Sequence, residues 1–314
     1  MKNLILLSIV TPTRGNFSDF WFQRLMAMEG AVEFILVYPP GSKKVSMSDP
    51  RIKVIISPYK GEVIQRAVGL LNASGQYVIA LDDDDFLHPK TTEIISPYFT
   101  NYPESWCLRL SRINIDYQDE ERIKTPWGAL PNLQSLQVIP PAPKPTLRRQ
   151  TYADEEILEE VPISPLQKQF KWSSLWYKTK RTDPDGAHME NFNNRIWKTS
   201  LVQEGLQDLL AGNKFLKHLV WMPFWSLDRL LGLFIQAKFY QEDLIIGHRL
   251  WGDEQIRYIV KSSSLKGELR AMFPGDMILA LRFPKYGYLW NLFFYEFWRF
   301  VSICFQGFYR RTSS

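Results

Sequence analysis

Short apolar runs alternate with helix-like segments along the first third of the chain. The apolar runs, rich in Ile, Val and Leu, cover residues 4–11, 33–38, 52–57 and 76–81, and helix-like segments lie at 17–28 and 62–72. Nearly continuous apolar strands alternating with helices are typical of a parallel sheet covered by helices on both faces. The pattern therefore predicts an α/β domain with a Rossmann-type, mostly parallel sheet. In such sheets, ligands bind beyond the carboxyl ends of the strands.

The pattern changes in the middle of the chain. One helix-like segment, one strand-like segment and two further helical patterns are predicted, in that order, at residues 89–99, 106–117, 200–210 and 226–239. Between them, eight prolines from Pro126 to Pro165 favour a long surface loop, because proline lacks an N–H donor and disfavours helix in the preceding residue. Residues 168–181 interleave lysines with aromatic residues, which fits either a half-buried strand pair or a binding surface. Ser226 and Asp228 suit the start of the last helix.

The C-terminal residues 286–311 show helical periodicity. At 100° per residue, the aromatic and apolar side comprises Phe293, Phe297, Phe300, Val301, Cys304 and Phe308, and the opposite side comprises Asn291, Arg299, Ser302 and Gln306. Glu296 and Arg299 argue against a membrane-spanning helix. Two interpretations stay open: an interfacial helix with Lys285, Arg310 and Arg311 near lipid head groups, or a helix docked on the domain or on a second subunit. We predict a catalytic domain at 1–262, with a Pro-rich and basic-aromatic insertion at 126–181, and an amphipathic helical region at 263–314.

Composition narrows the cellular setting and the partners. Cys107 and Cys304 are the two cysteines of the 314-residue chain, too few for a disulfide framework, which favours a reducing compartment. The net charge of +5 permits anionic partners, but no basic helix indicates nucleic acid. We therefore predict a cytoplasmic protein, peripheral on the cytoplasmic face of a membrane if the C-terminal helix is interfacial, and no nucleic-acid partner.

Four consecutive acids, Asp82 to Asp85, follow the fourth apolar run. Neighbouring carboxylates about 4 Å apart repel by about 1 kcal/mol in water, and by about 4 kcal/mol at an effective dielectric constant near 20. On a strand, Asp82 and Asp84 would face one side, where Mg²⁺ or Mn²⁺ would relieve the repulsion and share its ligand shell with phosphates. The alternative is a solvated loop or a helix cap.

Three segments carry a resemblance to a known family. They are SIVTPTRGN near the start, RAVGLLNASGQYVIALDDDDFLHP in the middle and WGDEQIRYIV near residue 255. Together they resemble the family 2 glycosyltransferases with a GT-A fold. The resemblance implies a metal-dependent, inverting transfer of a sugar from a nucleotide-sugar donor to a hydroxyl of a glycan, lipid or lipid-linked acceptor. It maps the D-x-D motif onto Asp82 and Asp84 as Mn²⁺ or Mg²⁺ ligands, and donor binding onto Pro12, Thr13, Arg14, Arg66, Asp82 and Asp83.

The resemblance also implies a catalytic base, from an acidic pair at the start of a late helix. The matching residues are Asp253 and Glu254, of which we favour Asp253. A non-catalytic interpretation stays open, in which both acids lie in the first turn of a helix and are favoured there by the helix dipole. One departure is clear: Pro39 and Pro40 stand where the family has two acids, one of which contacts the nucleobase. Two alternatives stay open: a nucleotidyltransferase, although a glycine-rich phosphate loop is missing, and a membrane-peripheral binding protein on a degenerate transferase fold.

Overall fold

The computed structural model describes residues 4–43, 47–141, 157–179, 181, 188–211, 224–260 and 272–312, with side chains of 224–226 and 304–312 outside the description. The strands are β1 Leu7–Pro12, β2 Val32–Tyr38, β3 Ile52–Ile56, β4 Tyr77–Ala80, β5 Phe86–Leu87, β6 Cys107–Arg109, β7 Arg112–Asp116, β8 Gln137–Ile139, β9 Ile157–Pro162, β10 Arg195–Lys198, β11 Ile245–Leu250 and β12 Ile256–Val260. The helices are α1 Asp19–Met26, α2 Glu62–Leu71, α3 Thr92–Asn101, α4 Glu120–Lys124, α5 Thr199–Leu210, α6 Phe224–Lys238, α7 Phe273–Arg282 and α8 Gly287–Thr312, and Trp172–Leu175 forms a 3₁₀ turn.

A nine-stranded sheet in the order β3-β2-β1-β4-β10-β6-β11-β9-β8 forms the centre of the described fold. Its first four strands are parallel, as the apolar runs predict. Every residue of β1 and β2 is buried, because helices cover both faces of this half of the sheet. A smaller sheet, β5-β12-β7, lies beside it.

Successive residues of β1 enter two separate cores. Val10 packs in the core that also contains residues of α2, α5, α6, α7 and α8, whereas Ile9 packs in the core with residues of α1 and α3. This alternation follows from the two-residue period of a strand. The α/β architecture with helices on both faces is therefore confirmed.

The strand predicted at residues 106–117 is wrong as a single element. It divides into β6, in the large sheet, and β7, in the small one. Leu110 and Ser111 separate the two: the Ser111 N–H donates to the side-chain oxygen of Gln255 at 2.8 Å, and the Ser111 carbonyl accepts from the Gln255 N–H at 3.0 Å. These bonds hold Ser111 to the segment before β12, and the chain passes from one sheet to the other.

The insertion predicted at 126–181 is also more ordered than a surface loop. Its described part contains β8 and β9, which complete one edge of the nine-stranded sheet. Residues 142–156 lie outside the description. No strand pair forms in residues 168–179; the segment contains the 3₁₀ turn and leaves Trp172, Trp176 and Tyr177 exposed. The half-buried strand pair is therefore wrong.

The C-terminal helices α7 and α8 pack on the domain. In α8, Tyr288, Leu289 and Leu292 are buried in the same core as Val10, so the docking interpretation is confirmed for the first half of the helix. Its buried stripe also includes Glu296 and differs from the predicted apolar side, of which Phe293 and Phe297 are half-buried. The side chains of Cys304, Gln306, Phe308, Arg310 and Arg311, and the proposed boundary at 262, lie outside the described residues. Among the helices described, none combines the length and apolarity needed to cross a bilayer.

A buried arginine joins these helices to α6. Arg229 lies 3.3 Å from Glu190, 3.3 Å from Asp276 on α7 and 3.1 Å from Glu296 on α8. Burial raises the pKa of Asp276 to about 7 although Arg229 opposes the shift. Burial also acts to raise the pKa of Glu190, but the charges of Arg229 and Arg181 outweigh it and the pKa falls below its usual value. Arg229 is thus the shared counter-ion of three carboxylates.

We expect Arg229→Met to destabilise the protein by about 3–5 kcal/mol, because it removes the cation that pairs with the buried Asp276, although Arg181 still pairs with Glu190 and Arg299 with Glu296. Chemical denaturation measures the change. Arg282→Met is the matched control: Arg282 pairs with Asp208 at 3.0 Å but is 54% exposed, and its loss should change stability by about 1 kcal/mol or less. Equal effects of the two substitutions would show that the Arg229 network does not stabilise the packing of α7 and α8.

Candidate functional site

A cleft of about 770 Å³ opens where β1, β2 and β4 end. Such a volume suits a small-molecule ligand. Most of the predicted donor-binding and metal-binding residues line this cleft, together with parts of α2 and β12. The lining residues include Pro12, Thr13, Arg14, Pro39, Pro40, Gly41, Ser42, Lys60, Glu62, Gln65, Asp82, Asp83, Asp84, Tyr258 and Ile259. The strand-end rule thus located the cleft correctly.

Thr13 orients Asp83 at the cleft. Its hydroxyl donates to Asp83 Oδ2 at 2.6 Å and accepts the Gly15 N–H at 2.9 Å. Behind it, the Gln65 amide donates to the Val37 carbonyl at 2.6 Å and to the Thr13 carbonyl at 3.3 Å, which ties the ends of β1 and β2 together. Burial raises the pKa of Asp83, and the Thr13 hydrogen bond partly offsets that rise.

The four acids form a turn rather than an extension of β4. The strand ends at Ala80, and the Asp85 N–H donates to the Asp82 carbonyl at 3.2 Å. Strand alternation therefore does not govern these acids, although Asp82 and Asp84 both line the cleft. Within the turn, Asp84 is exposed, Asp82 and Asp83 are half-buried, and Asp85 is buried.

Asp85 anchors this turn to the small sheet. Its carboxylate accepts the Ile259 N–H at 2.9 Å, and its carbonyl accepts the Trp21 indole N–H at 2.8 Å. Burial, with the nearby charges of Asp82 and Asp84, raises the pKa of Asp85 well above its usual value. This acid is therefore a structural member of the run, held beneath the cleft rather than inside it.

Arg66 supports the acids from below instead of lining the cleft. It is buried on α2 and pairs with Asp82, with Glu62 at 3.1 Å and with the Asn193 side-chain carbonyl at 3.2 Å. Burial acts to lower the pKa of Arg66, but the charge of Asp82 and other neighbouring acids raises it on balance. A permanent positive charge therefore lies beneath Asp82 and holds this carboxylate, and the donor-binding role of Arg66 stays a prediction.

The sequence reasoning missed Asp228 as a site residue. It lies near the start of α6, and the Asn193 amide, whose carbonyl accepts from Arg66, donates to its carboxylate. Burial raises the pKa of Asp228 to about 7, with opposing charge from Arg66 and supporting charge from Asp82. The available signal was the helix start at Ser226 and Asp228, which was interpreted only as a capping pattern.

Asp253 and Glu254 lie in the loop between β11 and β12, so neither begins a helix. Neither acid lines the cleft; β12 runs from this loop towards the cleft wall, which Tyr258 and Ile259 form. Asp253 is exposed and lies against Gly128, where a Cβ would overlap its carboxylate. Glu254 pairs with the buried Arg257 at 3.0 Å. The helix-dipole interpretation is therefore wrong, and the catalytic assignment of these acids stays a prediction.

Comparison with known proteins bears on this geometry. Residues 41–157 match the model of glycosyl transferase family 2. The resemblance to family 2 glycosyltransferases is confirmed. The matched segment includes Arg66 and the acidic turn.

Solved structures similar to this chain include two of TarS 1-349 from S. aureus. The complex with UDP has 12% sequence identity and a TM-score of 0.46, with 88% of this chain and 64% of that chain covered. The complex with UDP-GlcNAc has 13% identity and a TM-score of 0.48, with 88% and 66% covered. This chain thus spans about two thirds of the TarS chains it matches. No curated protein matches the sequence.

Pro39 and Pro40, at which the sequence departs from the family 2 pattern, form part of the cleft wall. Both prolines line the cleft beside Gly41 and Ser42. Gly41 has φ of +80°, in the left-handed region that favours glycine, and the Ser42 N–H donates to the Pro39 carbonyl at 3.3 Å. This wall presents apolar rings and a tight turn where the family 2 pattern would put carboxylates.

The carboxylate oxygens of the acidic turn fit a cation only in part. The described residues contain no group of three or more His, Cys, Asp or Glu side chains arranged to hold a metal ion. Asp82 is shared with Arg66 and Asp83 with Thr13, which leaves Asp84 as the exposed acid. Mg²⁺ often takes only one or two carboxylates and completes its shell with water and substrate phosphates. The turn fits that kind of site and not a closed protein cage.

We expect Thr13→Val to weaken nucleoside diphosphate binding about tenfold, because it removes the hydrogen bond that orients the Asp83 carboxylate. Calorimetric titration of the purified chain measures the affinity. Thr100→Val is the control, since Thr100 is exposed on α3 and donates to the Ser96 carbonyl at 2.8 Å. Unchanged affinity in Thr13→Val would show that the Thr13–Asp83 bond does not shape the binding site.

Proposed function

We propose that this chain is a glycosyltransferase that moves a sugar from a nucleotide-sugar donor, bound in the cleft, to a hydroxyl acceptor. The observation that carries the proposal is the convergence of the strand ends, the acidic turn and the Pro39–Ser42 wall around one cleft within a family 2 context. Arg14 and Lys60 are exposed at the same cleft. Their charges favour a diphosphate, which brings negative charge to a site otherwise crowded with acids.

The proposed donor site includes a divalent cation. Asp84, with Asp82, would hold Mn²⁺ or Mg²⁺, which when bound stabilises negative charge on phosphate oxygens. Arg66 keeps Asp82 in place through the buried ion pair, and Thr13 does the same for Asp83. The carboxylates are therefore positioned before any ligand arrives, which reduces the cost of ordering them on binding.

We assign the proton-accepting role to Asp228 rather than Asp253. An inverting transfer needs a base for the acceptor hydroxyl, and a base is most effective when its pKa lies near the working pH. Asp228 has a pKa raised to about 7 and connects to Asp82 through Asn193 and Arg66. Asp253 is instead exposed, in the loop between β11 and β12.

A first test is a thermal-shift screen of uridine, guanosine and thymidine diphosphates with and without Mn²⁺. If one diphosphate raises the melting temperature, and Mn²⁺ makes this increase larger, the result supports the proposed donor site and identifies the nucleobase. Hydrolysis of the corresponding nucleotide sugar would then exclude a protein that only binds its ligand. No stabilisation by any diphosphate, with or without the metal, would contradict the proposed function.

We expect Asp84→Ala to abolish the Mn²⁺-dependent part of nucleoside diphosphate binding and to lower sugar transfer at least about 100-fold, since a charge-stabilising group is lost. The fold should survive because Asp84 is exposed. Calorimetry with and without Mn²⁺ gives the first quantity and a coupled release assay gives the second. Glu93→Ala, at an exposed acid of α3, is the matched control. Retained Mn²⁺ dependence in Asp84→Ala would remove the metal assignment.

We expect Asp228→Asn to lower kcat by about 10²–10⁴-fold with little change in donor affinity, as loss of a general base does. Because the base must be deprotonated, kcat/KM of the unmodified protein should fall as the pH decreases through about 7. This acidic fall in kcat/KM should be absent in Asp228→Asn. Asp253→Asn is the direct comparison. If Asp253→Asn loses transfer and Asp228→Asn does not, the earlier assignment is right and this one is wrong.

A further inference from the structure

An exposed aromatic surface lies on the C-terminal side of the fold. Residues 167–178 and the beginning of α8 enclose a groove of about 660 Å³, lined by Phe170, Trp172, Trp290 and Phe294 among others. Beside it, Trp172, Trp176 and Tyr177 are 74%, 78% and 60% exposed. We call residues 167–178 with 284–294 the basic aromatic surface. Exposed aromatic side chains gathered in one place indicate an interaction site.

This surface is held rigid by hydrogen bonds between its two segments. The Lys171 N–H donates to the Asn291 side-chain carbonyl at 2.8 Å, and the Asn291 amide donates to the Gln169 carbonyl at 2.9 Å. The Trp298 indole donates to the Ser174 carbonyl at 2.9 Å. Because the backbone beneath the aromatic residues is already ordered, binding through them needs little further ordering.

The charges of the surface are all of one sign. Its lysines are Lys168, Lys171, Lys178 and Lys285, and residues 161–179 and 283–295 contain no Asp or Glu. Glu296, the next acid on α8, is buried against Arg229. Glu242 and Asp243 line a neighbouring groove together with Gln167 and Lys168. The surface is therefore complementary to an anionic partner.

We propose that the basic aromatic surface binds the interface of an anionic lipid bilayer. Trp and Tyr prefer the head-group region of membranes, and lysines near an anionic leaflet add favourable electrostatic energy. A protein partner fits less well, because the centres of protein interfaces are depleted in Lys. A neutral glycan would use the aromatic rings but not the positive charges of Lys178 and Lys285.

The proposed surface differs from the one that periodicity predicts for the C-terminal helix. That prediction used only the side of α8 that carries Phe293, Phe297, Phe300, Val301, Cys304 and Phe308. The structure adds Trp172, Trp176 and Tyr177 from the 3₁₀ turn segment and brings them beside the start of α8. The proposal concerns lipid contact alone and does not depend on the proposed sugar transfer.

Co-sedimentation of the full chain with phosphatidylcholine vesicles, with and without phosphatidylserine, tests the proposal. We expect binding to the anionic vesicles that decreases with salt. Trp172→Ala combined with Trp176→Ala should weaken it about tenfold or more. Lys178→Glu and Lys285→Glu should each weaken it at least about fivefold. Two controls lie outside this surface. One is Tyr117→Ala, at a side chain that is 45% exposed, and the other is Lys90→Glu, at a side chain that is 50% exposed.

Far-UV circular dichroism and thermal unfolding, measured on the same variants, confirm that each is folded. No sedimentation of the unmodified chain with anionic vesicles overturns the proposal, as does sedimentation that the tryptophan pair does not affect. Retention on immobilised glycans without vesicle binding would also overturn it and favour a carbohydrate surface. A dimer that dissociates in the tryptophan double variant, again without vesicle binding, would overturn it in favour of self-association.

Discussion

Placing four consecutive carboxylates at the rim of an apolar core requires internal compensation, and the arrangement of the cleft depends on how the chain supplies it. Each acid receives a different environment. Asp82 pairs with the buried Arg66, Asp83 accepts the Thr13 hydroxyl and Asp85 accepts the Ile259 N–H. Asp84 alone is exposed. Partners within the protein thus offset part of the repulsion in such a run, and Asp82, Asp83 and Asp84 all remain on the cleft wall.

Two consecutive residues of α6 connect this cleft to the C-terminal helices. Asp228 belongs to the chain of contacts that leads through Asn193 to Arg66, whereas Arg229 holds carboxylates on α7 and α8. Because a helix is stiff over adjacent residues, the packing of α7 and α8 fixes the part of α6 that carries Asp228. The C-terminal region is therefore part of the support of the candidate site, and not an appendage to it.

The sequence predicts the features that depend on neighbours along the chain. Apolar runs indicated the parallel strands, and the rule of strand ends indicated the cleft. Features that depend on residues far apart in the sequence were not predicted. Arg66 and Asn193 are 127 residues apart, so their contact, and with it the importance of Asp228, had no local signal. The division of β6 from β7 likewise depends on Gln255, far along the chain.

The C-terminal helix shows why a helical wheel selects the wrong face when a charge is buried. Glu296 reads as a polar interruption that should face water, yet it lies against Arg229 inside the protein. Its burial turns the stripe of Tyr288, Leu289 and Leu292 inwards and leaves part of the aromatic side half-buried. The same ion pair that orders α8 on the domain therefore determines which of its aromatic residues remain at the surface, where the 3₁₀ turn segment extends them into a basic aromatic surface.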